Sequence, residues 1–337
     1  MKTDISKLLT AYLGDYLPKQ IEVSTNTIAS YCDTFKLLLR FCRDEKSKRV
    51  DKLSLEDISP ELINSFLSYL EKERSCSNST INQRLIAIRS FFKYVQIECP
   101  EASFQCAKVL DIRKRRAPKP LIGYIHEAEM KSFLLRPDTS KRSGRRDLVL
   151  LSVMYDTGAR VQEIANITVR DVRLEYPARI RLLGKGKKFR EVPILPNTAE
   201  LLENYMHEQD LIGMDKLSLP LFTNKHSQKF TRAGISYIVS KYSEGITPVG
   251  SNKVSPHVLR HTKAMHLLQA GVSLVYIKDI LGHVDIGTTE VYASADLQMK
   301  RKALEQAVPM TAGVEPTWHQ DKDLLTWLND ISRGKVM

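Results

Sequence analysis

The sequence predicts a mainly α-helical fold in two domains, with one small antiparallel β-sheet in the second. Three observations carry that expectation. The chain has 337 residues, more than one hydrophobic core ordinarily serves. Apolar residues recur at helical spacing through the first 110 residues and again after about residue 196. Between those stretches, two β-rich runs, ARIRLLG and FREVPIL, flank a lysine-rich turn around KGKK and read as a hairpin.

Taken in order, STNTIASYCDTFKLLLRFCRDE places Ile28, Tyr31, Phe35, Leu38, Leu39, Phe41 and Cys42 along one helical face after a polar cap. SPELINSFLSYLEKER opens with Ser59 as N-cap and Pro60 in the first turn, where its missing N–H costs nothing. NSTINQRLIAIRSFFKYVQ puts Leu85, Ile88, Phe92 and Val95 on one side, with Asn82, Arg84 and Arg89 among its polar positions. Those three either meet an anionic partner or form a solvated face, and periodicity does not choose between the two. Pro118 and Pro120 then interrupt the pattern. RRDLVLLSVMYDTGARVQEIANI reads as helix, glycine turn, helix. Near the end, TWHQDKDLLTWLNDIS lines up Leu324, Leu325, Leu328 and Ile331 as a short amphipathic helix. The expected boundaries are a helical domain over 1–110, a linker over 111–122, a second domain over 123–310 and a C-terminal tail over 311–337. No internal repeat is present.

Composition narrows the function classes. With 42% hydrophobic and 27% charged residues, the chain is globular rather than disordered. No apolar run reaches membrane-span length and MKTDISKLLT lacks the apolar core of a signal peptide, so the expected location is the cytoplasm. The five cysteines, Cys32, Cys42, Cys76, Cys99 and Cys106, are odd in number and none sits at zinc-ligand spacing, which reads as reduced thiols. Net charge is +12, and +4 of it lies in the twelve residues DIRKRRAPKPLI. On composition alone that run is a solvated linker or a localisation signal. Its place between two folded halves favours a phosphate-tracking strap of Arg113, Lys114, Arg115 and Arg116, because lysine and arginine gain affinity by releasing counterions from DNA.

The candidate chemistry gathers in the second half. In VSPHVLRHTKAMHLLQAG, Ser255 caps and Pro256 starts a helix that brings His257, Arg260 and His261 onto one face. A zinc site on the two histidines is disfavoured because Val258 stands where the metalloprotease pattern needs glutamate. An imidazole beside a guanidinium suits an anionic ligand better. SLVYIKDILGH reads as a helix stopped by Gly282, with His283 after it, and Tyr292 lies nine residues on. Upstream, YDTGARVQEI sets Arg160 at a helix start with Glu163 three residues later as a neutralising partner. Lys185, Lys187 and Lys188 share the hairpin turn, and position does not single one out.

TGARVQEI, GKGKKFREVPI, HVLRHTKAMHLLQAG and LGHVDIGTTEVY, in this order and at these distances, resemble the tyrosine recombinase (integrase) family. Each motif alone is weak, but four in register over roughly residues 123–305 are specific. The helical first half is similar, more loosely, to that family's SAM-like core-binding domain, so the resemblance implies a two-domain C-shaped clamp on DNA. It also implies cleavage by in-line attack of a tyrosine on a phosphodiester, giving a 3′-phosphotyrosyl link and a free 5′-hydroxyl. Bond energy stays in that link, so no ATP, metal or other cofactor is needed.

Matched position by position, the resemblance makes Tyr292 the nucleophile. Arg160 and Arg260 hold the non-bridging oxygens, and Lys185 protonates the leaving oxygen. His257 helps accept the tyrosine proton and binds phosphate, His283 donates a hydrogen bond, and Glu163 supports the set. Ionising a phenol of pKa about 10 at pH 7 costs roughly 4 kcal/mol, which accounts for so many cations around one tyrosine. Ala159 is the one minor departure, standing where a bulkier apolar residue is frequent.

A type IB topoisomerase shares this chemistry, and a non-catalytic DNA-binding module could share the fold. The motif wording and the intact residue set favour a recombinase. The chain begins almost directly in the core-binding helices, so no arm-binding domain is expected. About 45 residues follow Tyr292, which favours a mobile-element recombinase or transposase over an Xer-like resolvase of chromosome or plasmid dimers. The resemblance further implies a homotetramer on two duplexes, acting through a Holliday junction, with the C-terminal helix docking on a neighbouring protomer.

Overall fold

A computed structural model of the chain describes residues 4–118, 122–184, 186, 188–283, 289 and 292. Lys185, Lys187 and the C-terminal helix expected around Leu324–Ile331 lie outside the described residues. The chain divides into two compact units, Met1–Lys119 and Pro120–Met337. Among the described residues no helix is long and apolar enough to cross a membrane.

The first unit is all helix: α1 (Ile5–Ala11), α2 (Thr25–Asp44), α3 (Pro60–Lys72), α4 (Asn78–Glu98) and α5 (Ser103–Leu110). Helix α1 runs on as a π-helix over Tyr12–Gln20, which contains Pro18. Capping sets the main starts. Ser24, Ser59 and Ser77 each accept a backbone N–H from the first turn of α2, α3 and α4. The core is aromatic at its centre, where Tyr12 and Phe35 each pack edge-on against Phe91 at a 5.3 Å ring separation. All five cysteines are free thiols, and Cys42, Cys99 and Cys106 are buried in this unit.

The first half of the linker is part of the same body. The Asn82 side chain on α4 donates to the Arg115 carbonyl (2.9 Å) and accepts from the Arg115 N–H (2.8 Å). Asn78 donates to the Arg116 carbonyl at 2.9 Å, and the Arg115 guanidinium pairs with Glu71. Arg84 turns inward and donates to the Ser30 carbonyl and the Thr34 hydroxyl of α2, tying two helices together.

The second unit holds α6 (Glu127–Leu134), α7 (Arg142–Thr157), α8 (Val161–Asn166), α9 (Pro196–Glu208), α10 (Arg232–Tyr242), α11 (Pro256–Gln269) and α12 (Leu274–Leu281). Its sheet is β1 (Val172–Arg173), β2 (Arg179–Leu183) and β3 (Phe189–Pro193), in that order and antiparallel. The expected hairpin is therefore present as β2–β3, closed by the Gly184 N–H donating to the Lys188 carbonyl at 2.8 Å. Strand β1 is not among the expected elements, because two residues cannot display an alternation.

Helix α7 is the spine of this unit, with Leu150, Leu151, Val153 and Met154 fully enclosed. It can begin as it does only because residue 144 is glycine, since a Cβ there would sit 1.9 Å from the Asp138 carbonyl oxygen. It ends on Gly158 in the left-handed region (φ +55°), as α12 ends on Gly282 (φ +65°). Both stops point their last carbonyls into the site.

Candidate active site

The end of α12 organises the site. A helix C-terminus leaves its final carbonyls without intrahelical partners and carries a partial negative charge. Here three successive carbonyls each receive a different arginine. The Ile280 carbonyl accepts from Arg190 Nε at 2.9 Å, Leu281 from Arg260 Nη2 at 2.7 Å, and Gly282 from Arg160 Nη2 at 3.3 Å. Arg160 caps α8, Arg190 comes from β3 and Arg260 from α11, so one helix end fastens three separate elements.

Glycine at 282 follows from the same crowding. Beyond its positive φ, a Cβ there would meet Arg190 side-chain atoms at 2.9 Å. Arg260 is only 4% exposed, and its other terminal nitrogen donates to the Gly158 carbonyl at 2.8 Å. Burial, and then the Arg160 charge, lowers its pKa to about 10, so it stays cationic at neutral pH.

Glu163 balances this cluster. Its buried carboxylate accepts four hydrogen bonds: the Arg160 N–H and Nη1 at 2.8 Å each, and Arg190 Nη1 and Nη2 at 3.0 and 2.8 Å. Burial alone would raise its pKa, but Arg190 and Arg160 outweigh it and hold the group below the ordinary value. Two guanidinium groups thus share one carboxylate while a third, that of Arg260, meets backbone carbonyls, leaving a positive excess suited to a phosphate whose charge grows in a transition state.

Around Tyr292 the arrangement is different. Thr289 and Tyr292 have helical backbone, and the phenol is 2% exposed, packed with Ala264, Met265, Leu268, Ile277 and Leu281. Its hydroxyl lies 2.9 Å from His261 Nδ1. The His283 ring stacks nearly parallel to the phenol (10° between planes), and its Nδ1 is 2.9 Å from the Thr289 hydroxyl. Burial raises the Tyr292 pKa, partly offset by Arg260 and Arg160. Burial first, and then neighbouring cations and histidines, lowers His261 and His283 to about 4, so both are neutral at pH 7. His257, the exposed residue in the otherwise buried first turn of α11, is lowered by partial desolvation and by Arg260 and Arg160.

Of the residues expected in the site, Arg160, Glu163, Arg260, His283 and Tyr292 gather around the end of α12 and α11, with His257 at the exposed rim. Two contributors went unread. Arg190 lies two positions before the buried Val192, so alternation puts it on the inward face of β3, where an arginine needs an acid. His261 shares its face of α11 with His257 and Arg260, and helical spacing assigns it no role of its own. Among the residues expected to touch DNA, Asn82, Arg84 and Arg115 use polar atoms on the intramolecular bonds described above. Arg113, Lys114 and Arg116 are exposed, and Arg89 is half-buried.

Comparison with known proteins agrees with this geometry. The phage integrase family model matches residues 124–299, and the phage integrase N-terminal SAM-like domain model matches residues 9–98. The chain belongs to the phage integrase family. It is a tyrosine recombinase, a DNA breaking-and-rejoining enzyme. It is 35% identical to the integrase/recombinase y4rC of Sinorhizobium fredii, over 97% of this chain and 98% of that protein. To the tyrosine recombinase XerC of Bacillus subtilis it is 30% identical, over 85% of this chain and 91% of the relative. The fold is that of the XerH site-specific recombinase in its post-cleavage complex, with a TM-score of 0.68 at 22% identity, covering 90% of this chain and 88% of that one. The Tn1549 transposon integrase with transposon right-end DNA shares it, with a TM-score of 0.66 at 17% identity and coverage of 91% and 99%.

Proposed function

We propose that this recombinase cuts a specific duplex DNA site by attack of Tyr292 and that it mobilises a genetic element. The observation that carries the chemistry is the convergence of Arg160, Arg190 and Arg260 on one helix end beside a buried tyrosine. Arg160 and Arg260 bind the scissile phosphate, and Arg190 acts through Glu163 to hold Arg160 in place. His257 and His283 add contacts to the phosphate. Lys185 is the general acid for the leaving 5′-oxygen. Exposed Arg113, Lys114 and Arg116, with Arg89, contact backbone phosphates, while Asn82, Arg84 and Arg115 position the strap and helices that present them. The chain works in the cytoplasm as a homotetramer on two duplexes, without metal or nucleotide.

Support for the mobile-element role is the 35% identity to an integrase/recombinase over nearly the whole of both chains. The 30% identity to XerC favours a second reading, resolution of chromosome or plasmid dimers. A nicked suicide duplex tests the chemistry. The wild-type chain forms a covalent adduct and Tyr292→Phe forms none; an adduct that survives the substitution would refute the assignment. Mapping covalent cut sites on the DNA flanking the gene decides the role, with element ends expected and a chromosomal resolution site as the contrary result.

A further inference from the structure

We propose that the second unit carries another anion site, apart from the tyrosine centre, which takes a small phosphate monoester. It is a pocket between the start of α7, the end of α9 and the turn over residues 223–227. Its volume is about 340 Å³, within the range of roughly 300–1,000 Å³ usual for small-ligand sites. Helix α7 separates it from the tyrosine centre. The helix starts at the pocket with Arg142 and ends at Gly158, whose carbonyl takes Arg260. Its 16 residues span about 24 Å at 1.5 Å per residue.

The lining is one-sided in its hydrogen bonding. Among the described residues no acidic side chain lines it. Two amides do, and each spends its oxygen inside the protein. Gln209 Oε1 accepts from Arg142 Nη2 at 3.0 Å. Asn224 Oδ1 accepts from the backbone N–H groups of His226 at 2.9 Å and Gln228 at 3.1 Å. Those bonds fix which way each amide faces. Both NH₂ groups are left over: Gln209 Nε2 is buried with no partner among the described residues, and Asn224 Nδ2 donates to none of them. A buried donor without an acceptor is costly, so a native one calls for an acceptor supplied by a ligand.

The Ser143 and Ser227 hydroxyls and the Lys225 ammonium add three more donor groups, none of them bonded to another described residue. Arg146 braces this wall rather than joining it. Its Nη1 donates to the Thr223 carbonyl at 3.1 Å, its other two nitrogens hold Asp147, and its guanidinium lies over the Phe230 ring.

A lining that only donates selects a ligand that only accepts, and charge then selects among acceptors. Arg142 and Lys225 are the lining cations not spent on a carboxylate at close range. Glu208, the acid nearest Arg142, is 3.9 Å from it and pairs instead with Arg145 at 2.7 Å. Two cations and several donors match a phosphate monoester, which brings nearly two negative charges and three terminal oxygens at neutral pH. A backbone phosphodiester brings one charge, two terminal oxygens and a nucleotide on either side. The start of α7 has the same polarity, since Lys141 gives no side-chain cap and the first-turn N–H groups keep their partial positive charge.

The experiment is isothermal titration calorimetry on the full chain, with saturating duplex DNA present to occupy the tyrosine centre. Inorganic phosphate and ribose 5-phosphate are the probes, and ribose and dimethyl phosphate are the controls. Both probes should saturate one site per chain, and neither control should bind. Arg142→Gln and Lys225→Ala, both at exposed positions, should each weaken probe binding about tenfold or more. Their melting points and their rates of adduct formation on a suicide duplex should stay at wild-type values. Three results would each overturn the proposal: no saturable probe binding, probe binding undiminished in both variants, or dimethyl phosphate binding as tightly as ribose 5-phosphate. The last would make the pocket a DNA-backbone contact, and none of the three bears on Tyr292 as nucleophile.

Discussion

The two units bury different things. Among the described residues, the fully buried polar side chains of the first unit are Thr34 and Ser54, set in an interior of leucine, isoleucine and interlocked aromatic rings. The second unit encloses Asp147, Asp156, Glu163 and Arg260 as well as several threonines. Burying charge is expensive unless every charge is paired and hydrogen-bonded. An interior that accepts that cost is organised around chemistry, while the first unit is organised around being rigid. Rigidity serves it too, since α4 carries both the buried Phe91 and the Asn78 and Asn82 amides that hold the basic strap.

The sharpest way to break this contrast is to remove one interior group from each unit. Glu163→Ala leaves Arg160 and Arg190 facing each other without their carboxylate and should cost about 3–5 kcal/mol of stability. Phe91→Ala should cost a similar amount, about 3–5 kcal/mol, by opening a cavity. The two should part in kinetics. Folded Phe91→Ala should form adduct at the wild-type rate, whereas folded Glu163→Ala should not, as chemical denaturation and single-turnover cleavage will show. Equal kinetic losses would erase the distinction. Gly282→Ala comes next. It forces a side chain into a left-handed position and against Arg190, and should cost about 1–2 kcal/mol while slowing cleavage.

Acid should separate the units more gently. His261 and His283 have pKa values lowered from an ordinary 6.5 to about 4. Below pH 6.5 the unfolded chain binds more protons than the folded one, so stability present above 6.5 is lost as pH falls toward 4. The melting transition of the second unit should fall over that window, and His283→Gln should flatten the fall. A melting point independent of pH would contradict the lowered values. The smallest effect belongs to the strap. Lys114→Ala and Arg116→Ala should each lower the slope of log affinity against log salt by about one, without changing sequence preference.

Much of this is legible in the sequence. Ser59–Pro60 and Ser255–Pro256 announce helix starts, Gly158 and Gly282 announce stops, and each does what its chemistry predicts. The gathering of Arg160, Arg260, His283 and Tyr292 was legible through motif order. What escaped was the wiring between elements. That the carbonyls of Ile280, Leu281 and Gly282 take three arginines from three elements is a property of the folded surface, invisible to any single periodicity. Arg190 hid in a strand whose alternation pointed it inward. His261 hid behind its neighbour, because both histidines share a face of α11 and only packing shows which one reaches Tyr292. That Asn82, Arg84 and Arg115, expected at DNA, also bond their own protein was not legible, because such a side chain reads the same in sequence as one awaiting a partner.

The central claim is that the cations held by the end of α12 serve attack by one phenol. The most direct measurement is to trap the covalent intermediate on a suicide duplex, digest it, and locate the nucleotide-bearing residue by mass spectrometry. The account predicts a single modified peptide with the nucleotide on Tyr292. Attachment at any other side chain would contradict it.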